Sequence, residues 1–153
     1  MARARDRLSE AWRDLHEAVY YAADATGCAQ FLWFGDLQAR RGDAAADIES
    51  LRCIRKAGRL VGEEELQYQR LYAEHTRLIR EVNDGISGDS GDSMERFIAA
   101  ARELEVRIWQ VVPDNALPSG MLTRIGSLTG EHHSFARKDR RGGVFLNATE
   151  KRG

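Results

Sequence analysis

Apolar residues recur every three or four positions through most of the first 112 residues, and glycines interrupt the pattern. Leu8, Trp12, Leu15, Val19 and Ala22 share one side of a helix with Arg13, Asp14 and Glu17 opposite. That spacing predicts a helix over 4–26, stopped by Gly27. Ile48, Leu51, Ile54 and Ala57 carry a second helix, with Asp43 as candidate N-cap and Gly58 at its end. In "GEEELQYQRLYAEHTRLIREVNDG" three glutamates precede the basic residues, an order that suits the helix dipole. Tyr68, Leu71, Tyr72, His75, Leu78, Ile79 and Val82 form its wide apolar stripe, and Asn83-Asp84-Gly85 closes it. "ISGDSGDS" reads as a loop, with Ser93 or Asp92 capping a further helix that carries Phe97, Ile98, Ala101 and Leu104.

Other stretches have no decisive period. "CAQFLWFGD" is too short to separate a buried strand from a turn of helix. "EVRIWQVVP" either extends the preceding helix, with Ile108 and Val112 on its face, or forms a strand ending at Pro113. Its β-branched and aromatic content favours the strand. Beyond Pro118 glycines multiply, and "GMLTRIGSL" and "GGVFLNAT" read as short strands flanking "GEHHSFARKDRRGG". The expected fold is therefore mainly α. About four helices make a body over 1–112, and an irregular, partly β, basic segment over 113–153 packs on the same single domain. An α+β arrangement is the alternative.

A chain of 153 residues suits one domain and can bury a core without metal or disulfide support. Two prolines, Pro113 and Pro118, argue against an all-β or linker-rich protein. The net charge of −1 gives no general attraction to nucleic acid or anionic membrane. Charge is uneven, however: 60–123 is acidic and 124–153 basic, so the end of the chain can pair with its own middle or meet a partner. Cys28 and Cys53 form no CxxC pair, which excludes a zinc ribbon or thioredoxin motif, and a reduced pair of buried thiols is favoured over a disulfide. "MARARDRLSEAW" lacks the apolar core of a secretory signal, and no run approaches a membrane span. A cytoplasmic protein with no membrane partner is expected.

Among chemistry-bearing residues, adjacent His132 and His133 invite a metal. Neighbouring side chains on a strand diverge, so a bent loop and a third ligand from His16, His75, Glu131 or Asp139 would be required. No histidine is preceded three residues earlier by glutamate, and HExxH is absent, which removes the di-iron and zincin patterns. His75, in an apolar stripe, reads as a core histidine bonded to a carboxylate or carbonyl. Glu63, Glu64 and Glu65 diverge by about 100° each around a helix, which suits the dipole better than a shared Mg²⁺. Neither a nucleophile motif nor a phosphate-cradling glycine loop is present. No cofactor is expected.

The basic run offers a contact surface. Arg137, Lys138, Arg140 and Arg141 suit phosphates or acidic side chains, and Phe135 can stack. Three tryptophans and four tyrosines supply residue types that dominate binding hot spots. The leading expectation is a non-catalytic interaction protein binding another macromolecule, chiefly a protein, as adaptor, regulator or inhibitor. A nucleic-acid binder using the basic arm is the first alternative. A metal-dependent or acid–base enzyme using His132 and His133 is the second.

Overall fold

The computed structural model describes residues 2–30, 44–85 and 90–129. The chain divides into two compact units, 1–111 and 112–153. The first contains helices α1 (Ala2–Thr26), α2 (Ala45–Lys56), α3 (Glu64–Asn83) and α4 (Ser90–Trp109). In the second, the described residues form a 3-10 turn (Asp114–Ala116) and helix α5 (Met121–Thr129). The fold is mainly helical, and no strand occurs among the described residues.

Glycines end the helices where the pattern places them. Gly27 and Gly58 both adopt φ of +80°, which an L side chain rarely tolerates. Each begins a turn in which the next residue's amide reaches back to a helix carbonyl: Cys28 N to Ala23 O at 2.8 Å, and Arg59 N to Ile54 O at 3.2 Å.

In the first unit α1 packs on α2, α3 and α4. Its inner face combines Leu8, Leu15 and Val19 with Ala11, Ala18 and Ala22, all fully excluded from solvent. Pairings between helices fix their directions. Arg7 meets Glu95, Asp14 meets Arg102 and Tyr21 meets Trp109, so α1 and α4 run parallel with contacts seven residues apart on both. Arg5 meets Asn83 while Trp12 lies on Tyr68, so α3 runs against α1.

Carboxylates enter this interior with donors attached. Arg102 donates to Asp14 at 2.8 Å and to Glu105 at 3.1 Å, and the Trp109 indole donates to Glu105 at 3.1 Å. Glu105 is fully buried and Asp14 is nearly so. At the start of α3, buried Glu64 pairs with Arg107, which also donates to Gln67 at 3.1 Å. Gly62 leaves the space for this pair, since a Cβ there would stand 2.5 Å from Arg107 Nη2.

Several expectations are corrected. "EVRIWQVV" does not form a strand: α4 continues to Trp109 and turns follow. The i, i+3 and i+4 bonds among Arg102, Glu105 and Trp109 require helical spacing, and they outweigh the β-branched preference. The helix α4 begins at Ser90, so Asp92 and Ser93, read as candidate caps, already lie within it, and 86–89 fall outside the described residues. "GMLTRIGSL" is helix α5 rather than a strand, begun by Met121 N bonding to Pro118 O at 3.0 Å. "GGVFLNAT", Asp43 and the aromatics Phe31, Trp33 and Phe34 lie outside the described residues.

Cys28 and Cys53 are also corrected: they form a disulfide with Cα atoms 6.1 Å apart, across a separation of 25 residues. The turn after α1 carries Cys28 to the last turns of α2, a meeting that spacing along the chain could not reveal. Closing a loop of that length limits the unfolded chain by about 3.5 kcal/mol in the chain-entropy account. Full burial of Leu51 or Ile54, the large apolar anchors of α2, contributes about 2 kcal/mol each.

Removing Arg102 strips one shared donor from two buried carboxylates. Arg102→Ala is expected to lower unfolding free energy by about 3 kcal/mol in a denaturant titration. Arg7→Ala, which breaks a pair whose two side chains are 42% and 58% exposed, leaves the midpoint where it was.

Candidate functional site

The described residues that combine exposure with organised chemistry meet where α1, α2 and α3 converge. Asp47, in the first turn of α2, is 4% exposed. Its Oδ2 accepts from His16 Nδ1 of α1 at 2.5 Å and from the Tyr68 hydroxyl of α3 at 2.5 Å. The three helices are thereby tied through one oxygen atom. Asp47 occupies this place because Asp47, Ser50, Leu51 and Ile54 recur at helical spacing on the inner face of α2.

The members differ in exposure. Tyr68 is fully buried, while the His16 side chain is 53% exposed. The bond to Asp47 raises the His16 pKa above the ordinary imidazole value, with partial burial opposing it. Burial first, and then the Asp47 charge, push the Tyr68 hydroxyl well above its ordinary value, so it stays a donor through the neutral range. The result is a surface imidazole oriented from beneath by a carboxylate that is itself held by a phenol. Such a group can exchange a proton with a bound molecule or donate to it.

Arg13, His16 and Tyr20 lie along the same exposed side of α1. Tyr20 is 50% exposed and rests its ring edge on Tyr21, with centroids 5.4 Å apart. A second aromatic group lies nearer the start of α1. Trp12 stacks on His75 at 5.2 Å and contacts Tyr68, Tyr72 and Phe97. His75 was expected to bond to a carboxylate or carbonyl. Instead its ring lies against aromatic faces, and its buried Nε2 has no hydrogen-bond partner among the described residues. Burial lowers its pKa.

Glu64 and Glu65 pair with Arg107 and Arg55, and Glu63 stands at the N-cap. Among the described residues no three of His, Cys, Asp and Glu gather as a metal site. His132, His133, Phe135, Arg137, Lys138, Arg140 and Arg141, with Glu131 and Asp139, lie outside the described residues. Sequence reasoning missed Asp47 and Tyr68 as partners of His16. The usable signal was an acid at a core position of an amphipathic helix, which requires a donor on a neighbouring element.

No described helix is long and apolar enough to cross a membrane. Comparison with protein families, curated proteins and solved structures gives no match.

Two pH responses of opposite sign follow. His16 binds its proton more tightly when folded, so the stability it contributes is full below its unfolded pKa near 6.5 and is lost as pH rises through the raised folded value. His75 binds its proton less tightly when folded, so stability is lost as pH falls through 6.5. The stability gap between the native chain and His16→Gln should shrink as pH rises above about 6.5. His75→Phe should retain more stability than the native chain as pH falls below about 6.5. Chemical denaturation across pH measures both. Tyr68→Phe, which removes a donor from a buried carboxylate, should cost about 2 kcal/mol at neutral pH.

Proposed function

We propose that this chain is a non-catalytic interaction protein, a helical domain that binds another protein as adaptor, regulator or inhibitor. The observation carrying this reading is the exposed stripe Arg13, His16 and Tyr20 on α1, whose central histidine is held rigid from below. Arginine and tyrosine are hot-spot residue types, and a preoriented side chain loses little freedom on binding. Val61, 96% exposed between α2 and α3, adds an apolar contact on the same unit. The basic segment with Phe135, Arg137, Lys138, Arg140 and Arg141 is proposed separately, from sequence alone, as a second contact. A cytoplasmic setting would hold Cys28 and Cys53 as thiols, so location and redox state belong to one question.

Affinity capture from the source lysate, with and without nuclease, tests the reading. A stoichiometric protein partner should survive nuclease, and Tyr20→Ala should weaken its binding about tenfold. Joint substitution of Arg137, Lys138, Arg140 and Arg141 should weaken it further. Loss of every partner on nuclease treatment would overturn the reading in favour of nucleic acid. Binding unchanged by Tyr20→Ala would remove the α1 stripe.

A further inference from the structure

The helix α2 is built differently from its neighbours. It has 12 residues, where α1, α3 and α4 have 25, 20 and 20. Its N-cap is Ala44, whose own side chain supplies no hydrogen bond. A helix so short does not persist on its own in water. Two of its five buried residues, Asp47 and Ser50, are polar, and the Ser50 hydroxyl has no partner among the described residues. Among the described residues, its polar and covalent ties are concentrated at its ends: Asp47 under His16 and Tyr68 at one, the Cys28–Cys53 bond and the Arg55–Glu65 pair at the other.

The two cysteines are not equally placed. Cys28 is 1% exposed and fixed by the turn that ends α1, whereas Cys53 is only partly buried. We propose that Cys28–Cys53 is a thiol-exchange site for an external dithiol, attacked at Cys53 Sγ, and that its opening releases α2 from the bundle. The thiolate of the dithiol attacks Cys53 Sγ, the S–S bond breaks, and the electron pair leaves on Cys28 Sγ, which takes up a proton. The second thiol of the dithiol then attacks the mixed disulfide and frees Cys53, so the protein gains two hydrogens and the dithiol becomes a cyclic disulfide. With the bond open, the described residues that still hold α2 are Leu51 and Ile54, the Asp47 hydrogen bonds and the Arg55–Glu65 pair. Its detachment would expose Tyr68 and remove the carboxylate that orients His16.

This proposal does not depend on the interaction reading, and its test uses the whole chain. Hydrogen exchange is followed in oxidised protein, in protein reduced with dithiothreitol, and in Cys28→Ser/Cys53→Ser. Mass spectrometry confirms the disulfide in the first and the two added hydrogens in the second. Amides of 50–56 should exchange on the order of a hundredfold faster in the reduced and double-serine forms, while α1, α3 and α4 change by less than about threefold. A monothiol such as cysteamine should form its adduct on Cys53. Unchanged α2 protection after confirmed reduction overturns the proposal. So does equal acceleration of all four helices, which would make the bond a staple for the whole fold. An adduct found on Cys28, or two free thiols in protein purified in air, also overturns it.

Discussion

A carboxylate removed from water must keep its donors, and this constraint organises the bundle. Each of the four long-range elements contributes a buried acid: Asp14 from α1, Asp47 from α2, Glu64 from α3 and Glu105 from α4. Three of them accept from a different helix, through Arg102, Arg107 or the His16 and Tyr68 pair. Apolar stripes alone would allow helices to slide by a turn at modest cost. Sliding α4 along α1 by one turn would carry Arg102 about 5.4 Å from Asp14, and sliding α2 would take Asp47 away from both its donors. The acids thus serve alignment more than net stability, since a buried ion pair returns little beyond its desolvation cost.

The same constraint accounts for the surface. His16 would be an ordinary exposed histidine if Asp47 were not beneath it, and Asp47 could not remain buried without Tyr68. A core requirement on α2 and α3 therefore fixes the orientation of a side chain on the outside of α1. The two histidines of the first unit show opposite responses for the same reason. His16 has a carboxylate against its ring, and His75 has aromatic faces, so the hydrogen bond to Asp47 dominates one and desolvation the other.

Much of this was legible in the sequence where one physical rule acted alone. The stripe from Leu8 to Ala22 and the left-handed glycines at 27, 58 and 85 located α1, α2 and α3 closely. Legibility failed where local preference competed with distant partners. Val106, Ile108 and Val111 favour a strand by shape, yet Trp109 must sit beside Tyr21 and bond Glu105, and only a helix provides both. Asp47 in "AAADIES" resembles an ordinary first-turn acid, and its burial depends on residues 31 positions before and 21 after it. The disulfide was hidden for a similar reason, because a 25-residue separation carries no information about a turn that brings two helix ends together.

The parallel course of α1 and α4 has a mechanical consequence. The chain enters this unit at the start of α1 and leaves it at the end of α4, so the entry and exit points lie at opposite poles, roughly 30 Å apart for helices of this length. Tension applied through the two ends of this unit would draw α1 and α4 past each other along their axes instead of peeling them apart. The contacts at Arg7, Asp14 and Tyr21 would then bear load together rather than one after another.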